Sequence, residues 1–117
     1  MNSFLIEYML NEEKKEQQID NLIIESAKDG FEAVEKCKLE KFDLILMDYH
    51  MPRMNGVDAT IEIRKLENFK TVPICFVSAD TSEFLKDEIK EIKANGLIDK
   101  PISKKDIQEI FKNYILD

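Results

Sequence analysis

The chain contains no apolar run near the ~20 residues that a membrane-crossing helix requires. It does not open with the basic segment and apolar core of a secretory leader. Cysteine is scarce: Cys37 and Cys75 are too few for a disulfide framework, and both are expected to be reduced. Basic charge is in deficit. The net charge of −7 argues against nucleic acid as a direct partner, because phosphate backbones draw basic patches. The one histidine, His50, falls in a predicted loop, where solvent exposure is the expected fate of its ring. No internal repeat or linker is visible. The cytosol, or the cytosolic side of a larger receptor, is the expected compartment.

What is present is enough for one folded domain: 117 residues, 44% of them hydrophobic. Apolar runs at 22–26, 43–48, 73–78 and 97–99 read as strands. Helical spacing falls between them. Residues 31–40 place Phe31, Val34 and Cys37 inward, with the stem of Lys38. Val57 to Glu67 places Val57, Ile61 and either Ile63 or Leu66 inward, and 82–93 carries Phe84, Leu85, Ile89 and Ile92. Asn95-Gly96 reads as a helix stop. Ser103 reads as the N-cap of a last helix bearing Ile107, Ile110, Phe111 and Tyr114. Strands alternating with helices predict a parallel α/β sheet.

The most informative stretch is Phe42-Asp43-Leu44-Ile45-Leu46-Met47-Asp48. Its apolar centre predicts a strand buried on both faces, and a carboxylate stands where the strand stops. In open α/β sheets chemistry gathers at the carboxyl ends of strands. Two later strands end in the same manner, one at Ser78-Ala79 and one at Lys100-Pro101. Each gap is about one β-α-β crossover. A carboxylate, a hydroxyl and an ammonium are therefore expected on one edge of the sheet.

With Met51-Pro52 and Asn55-Gly56, and with Ala27, Gly30, Glu32 and Ala33 upstream, these residues stand in a family's order and spacing. The chain resembles the receiver domains of two-component response regulators and hybrid histidine kinases. The resemblance covers about residues 22–116, and the set of motifs together is specific where each alone is weak. It implies a flavodoxin-like, doubly wound parallel sheet of strand order 2-1-3-4-5. It implies that Asp48 accepts a phosphoryl group from a histidine kinase or histidine phosphotransfer protein. Lys100, aimed by a cis Lys-Pro bond, and Ser78 would contact the phosphoryl oxygens. Mg²⁺ would be held by Asp48 and the backbone carbonyl of His50. Leu97 stands where many members carry a switch aromatic, so the usual coupled aromatic rotation is not expected.

The beginning departs from the pattern. Members open with a strand ending in two acidic residues, followed by Asn. Aligning Asn2 with that Asn leaves the first strand and both acids missing, with residues 3–14 a helix and 15–21 a loop. The rival alignment makes Phe4 to Leu10 the first strand and Glu12 and Glu13 the acids. Its crossover would be short and polar almost throughout, without the apolar stripe of a covering helix. The favoured reading of 1–117 is thus an N-terminally truncated receiver domain, either a single-domain regulator or a piece of a larger protein. Without the acidic pair, Mg²⁺ binding is expected to be weak and phosphoryl transfer slow or absent. The alternative is a phosphorylation-impaired interaction module, expected to repair its sheet as a homodimer or strand-swapped dimer. An aspartyl-nucleophile phosphatase carries little weight, because such enzymes carry a second Asp where this chain has His50.

Overall fold

The computed structural model describes residues 3–50, 54–79 and 82–116. Five α-helices and three strands follow the order α1 (Ser3–Glu16), α2 (Gly30–Leu39), β1 (Ile45–Asp48), α3 (Gly56–Arg64), β2 (Ile74–Ser78), α4 (Glu83–Glu91), β3 (Gly96–Asp99) and α5 (Lys104–Ile110). A 3-10 turn, Glu67–Phe69, follows α3, and a π-helical turn, Phe111–Ile115, continues α5. The alternation expected from the sequence is therefore present from α2 onward, and residues 3–14 are helical. Met51-Pro52, part of the resemblance, lies outside the described residues.

Short polar side chains set the helix starts. Asp29 accepts from the Glu32 N–H, Asn55 from that of Asp58, Ser82 from that of Leu85 and Ser103 from that of Asp106. Each satisfies a donor that the first helical turn leaves without an internal partner. Ser103 and Asp106 form a reciprocal capping box, as the expected cap predicts.

The sheet is parallel, in the order β1-β2-β3. Asp48 stands level with Val77, and Ser78 with Asp99. Alternating side chains feed two apolar clusters. One holds Met47, Ile74 and Phe76 with Val34 and Cys37 of α2, Val57, Ala59 and Ile63 of α3, and Leu85 and Ile89 of α4. The other joins Leu44, Leu46 and Ile98 to Met9 and Leu10 of α1 and to Ile107, Ile110 and Phe111 at the end of the chain. Helices on both faces bury the central strand β2 along its whole length, whereas the flanking β1 is mostly half-buried, not buried on both faces as expected, and β3 is half-buried with Asp99 exposed.

The expected strand at 22–26 does not form: residues 22–27 have no regular structure. The reason is pairing rather than propensity. In the order 2-1-3-4-5 that segment ladders only with the first strand, and among the described residues no strand precedes β1. Isolated extended backbone gains nothing over hydration.

Two inward assignments change, and one apolar helix position faces out. Phe31 is 48% exposed, Ile61 40% and Phe84 74%. Each flanks the buried stripe of its helix, which runs instead through Val34 and Cys37, through Ala59 and Ile63, and through Leu85 and Ile89. The stop of α4 is not Asn95-Gly96. Lys93 takes the left-handed conformation at φ 61°, with Lys93 N–H bonded to Lys90 O and Ala94 N–H to Ile89 O. That pair of bonds is a Schellman termination. Asn95 serves elsewhere: its side-chain oxygen accepts the Ile74 N–H at the start of β2.

Two glycines are required by close approach. A Cβ on Gly30 would strike the backbone of Met54, and one on Gly56 would stand 2.5 Å from Asp48 O. They let α2 and α3 press onto the loop after β1, and so fix where that strand ends.

Candidate functional site

Asp48 closes β1, Ser78 closes β2, and Lys100 follows β3 directly. The three come from adjacent strands, so the parallel sheet sets them side by side at its carboxyl edge. Lys100 Nζ lies 3.0 Å from Asp48 Oδ1 and 3.1 Å from Oδ2, clasping both carboxylate oxygens. The two side chains are 15% and 20% exposed, sheltered but open to solvent on one side. Lys100 is tied to β2 as well, because its N–H donates to Ser78 O at 3.0 Å. The Lys100–Pro101 bond is cis. Ser78 is buried, at 1% exposure.

The loop after Asp48 is pinned by backbone hydrogen bonds. Tyr49 N–H donates to Val77 O at 3.1 Å, and Gly56 N–H donates to Tyr49 O at 3.0 Å. His50 N–H donates to Asp48 Oδ1 at 3.2 Å. The carboxylate thus has an ammonium on one side and a backbone amide on the other.

The response regulator receiver domain family matches residues 7–112. The chain belongs to that family. Receiver domains are regulatory parts of two-component signal transduction rather than classical enzymes. Among relatives, this receiver is 42% identical over 86 residues to the autoinducer 2 sensor kinase/phosphatase LuxQ of Vibrio vulnificus, covering 74% of this chain and 10% of that one. It is 41% identical over 73 residues to the response regulator mcs4 of Schizosaccharomyces pombe, covering 62% and 14%. The chain therefore spans about a tenth to a seventh of these relatives' length. The receiver domain of sensor histidine kinase PA1611 from Pseudomonas aeruginosa superposes with a TM-score of 0.82 at 29% identity, covering 97% of this chain and 88% of that one. That structure holds a magnesium ion in its active-site cleft. The chemotaxis protein CheY4 of Vibrio cholerae gives 0.78 at 27% identity, covering 92% and 90%.

The receiver family binds Mg²⁺ at this edge, and the donor set here fits it only in part. Asp48 offers carboxylate oxygens already engaged by Lys100. The His50 carbonyl is the other oxygen named by the resemblance. Among the described residues no three His, Cys, Asp or Glu side chains gather as a metal site. Glu12 and Glu13, the acids of the rival alignment, ride on α1, where Glu13 is buried and accepts from Gln17 at 2.8 Å. They do not end a strand.

One residue of this receiver's site had no role in the sequence reading. The Tyr49 ring meets the His50 ring edge-on at 4.7 Å between centroids and the Phe76 ring at 6.4 Å. Its hydroxyl donates to Glu88 Oε1 on α4 at 3.0 Å. The two residues are 39 positions apart. The only hint in the sequence is an aromatic directly after the strand-end acid.

Proposed function

We propose that this receiver is the phosphoacceptor of a His-Asp relay, with Asp48 taking a phosphoryl group from a histidine kinase or histidine phosphotransfer protein. The observation that carries the reading is the clasp of both Asp48 oxygens by Lys100, with Ser78 on the strand between them. An Asp48 oxygen attacks the phosphorus of a phosphohistidine. The O–P bond forms as the P–N bond breaks, and the imidazole leaves with that electron pair and takes up a proton. The product is an acyl phosphate. Lys100, a mobile point charge on a flexible stem, swings from the carboxylate to the phosphoryl oxygens. The Ser78 hydroxyl donates to a second phosphoryl oxygen, drawing its loop inward. New contacts to the added charge then shift the population between two conformers.

Mg²⁺, when bound, neutralises phosphoryl charge. Asp48 and the His50 carbonyl would hold it, with water completing the octahedron. With no acidic pair beside them among the described residues, binding is weak and transfer slow. A cytosolic setting belongs to the same proposal.

The test is incubation with acetyl phosphate at millimolar Mg²⁺, read by intact mass. A gain of one phosphoryl group that disappears in Asp48→Asn supports the reading. A gain that persists in Asp48→Asn overturns it.

A second reading has its own observation. Among the described residues nothing pairs with the outer edge of β1, and 22–27 ladders with no strand. Such edges recruit strands. We propose, as the alternative, an interaction module that takes no phosphate and completes its sheet with a segment from a second copy. Sedimentation equilibrium showing monomers alone, up to high concentration, excludes that dimer.

A further inference from the structure

We infer that Tyr49 is a positioning residue that carries the state of Asp48 to α4, through its hydroxyl bond to Glu88. The inference rests on the reading of Asp48 as phosphoacceptor and names the route by which its change of state leaves the site. The links are continuous. Asp48 Oδ1 accepts the His50 N–H at 3.2 Å. The His50 ring stands edge-on against the Tyr49 ring at 4.7 Å and 83°. The Tyr49 hydroxyl reaches Glu88 Oε1 at 3.0 Å.

The backbone of Tyr49 is anchored at both ends, to Val77 O and by Gly56 N–H. A change in the carboxylate therefore cannot be absorbed by sliding the strand. It passes on to His50, which is exposed. Converting Asp48 to an acyl phosphate changes the acceptor of the His50 N–H and draws Lys100 away. His50 then reorients, and the Tyr49 ring packed against it turns about an axis bounded by Phe76. A swing of the side chain about its Cα–Cβ bond moves the hydroxyl most, because it lies farthest from that axis. Glu88 loses or shifts its partner, and α4 is freed on that side. The adjoining stripe of α4 stays packed through Leu85 and Ile89. The helix thus has one apolar anchor and one polar tether, and only the tether reports on the site.

The test uses the full chain and amide hydrogen exchange of residues 83–91, with two independent perturbations of Asp48. Acetyl phosphate with Mg²⁺ is the first, and its success is scored separately by intact mass. Asp48→Ala, which removes the acceptor of the His50 N–H without any phosphoryl chemistry, is the second. In the wild-type background each perturbation is expected to change α4 exchange by about fivefold, the weight of one hydrogen bond. In Tyr49→Phe, which keeps the ring and deletes the hydroxyl, the response is expected to vanish, and likewise in Glu88→Ala. Glu88→Gln, which still accepts, should restore it. An α4 response of equal size in wild type and both deletion variants overturns the inference. So does the absence of any α4 response to Asp48→Ala. If intact mass shows no phosphoryl gain while the Asp48→Ala response depends on Tyr49, the route stands and the phosphoacceptor reading falls.

Discussion

The ion pair at the centre of the site can be weighed by a double-mutant cycle between Asp48 and Lys100. At the observed 3.0 Å, the attraction is about 5 kcal/mol at an effective dielectric near 20 and about 1.4 kcal/mol in bulk water. Against this stands the cost of drying two charges that are only 15% and 20% exposed. The pair is more sheltered than the surface pairs that contribute about 0–1 kcal/mol, yet it is not fully enclosed. The net coupling expected is about 1–2 kcal/mol. Asp48→Asn, Lys100→Met and the double variant would be unfolded in urea and followed by far-ultraviolet circular dichroism, since the chain has no tryptophan. With a slope of about 2 kcal/mol per molar urea, a loss of that size moves the midpoint by about 0.5–1 M. Because the pair is sheltered, the coupling should persist at high salt, where exposed pairs fade. A coupling below about 0.3–0.5 kcal/mol is indistinguishable from additivity and would refute the reasoning. On the proposed function the same quantity sets a threshold, because Lys100 would have to release the carboxylate before holding a phosphoryl oxygen.

Three further predictions rest on single features. Gly56→Ala places a methyl 2.5 Å from Asp48 O and 2.9 Å from the Phe76 ring, so thermal unfolding should show a loss of about 1–3 kcal/mol. An unchanged melting temperature would mean that α3 can retreat from the site. Arg64 donates to the carbonyls of Phe69, Val72 and Lys93, bridging the entry to β2 and the end of α4. Arg64→Ala should cost about 2–3 kcal/mol and speed exchange at 92–95, and Arg64→Lys should recover only part of this. Burial raises the Cys37 thiol from its ordinary 9.0 to about 11. The folded state therefore holds a proton that the unfolded chain gives up above pH 9. Stability should be intact below pH 9 and decline as pH rises towards 11, and urea midpoints at the two ends should differ less in Cys37→Ala. Cys75, raised by burial, and Tyr114, raised chiefly by its hydrogen bond to Cys75, push in the same direction and leave a residual slope.

Legibility in the sequence followed the range of the interaction. Strand ends are read from local apolar runs, and a parallel sheet brings consecutive ends to one edge, so Asp48, Ser78 and Lys100 could be grouped before any coordinates. The capping box at Ser103 and Asp106 is likewise a signal three residues long. The segment 22–26 misled because its residues favour extension while a strand exists only through pairing, a property of another part of the chain. Periodicity located the helices but not the edges of their buried stripes, and Phe31, Ile61 and Phe84 lie at those edges. The hydrogen bonds of Arg64 to Lys93 O and of Tyr49 to Glu88 have no periodic signature at all. They join polar side chains to groups 29 and 39 positions away, which only the assembled fold brings close.

A three-stranded sheet with β1 at its edge poses the question of how Asp48 is positioned at all. An outer strand with one ladder would be expected to fray, and the residue at its end most of all. Every restraint on Asp48 comes instead from the paired side or from the loop beyond. β2 holds the strand through the ladder and continues past its end by accepting the Tyr49 N–H at Val77 O. Gly56 presses the start of α3 onto Asp48 O from the front. Lys100, itself fixed to Ser78 O, clasps the carboxylate from two strands away. None of these contacts uses the outer edge of β1. The proposed chemistry and the open edge are therefore separable: a strand added there would protect the backbone of Ile45 to Asp48 without being needed to aim the nucleophile. On the proposed function, the part of the site that would draw on neighbours beyond that edge is the metal's ligand set. The residues proposed to contact the phosphoryl group all stand at the ends of β1, β2 and β3. Weak metal affinity with an intact Asp48–Lys100 clasp is the pattern that this division of labour requires, and a tight Mg²⁺ complex of this chain as a monomer would contradict it.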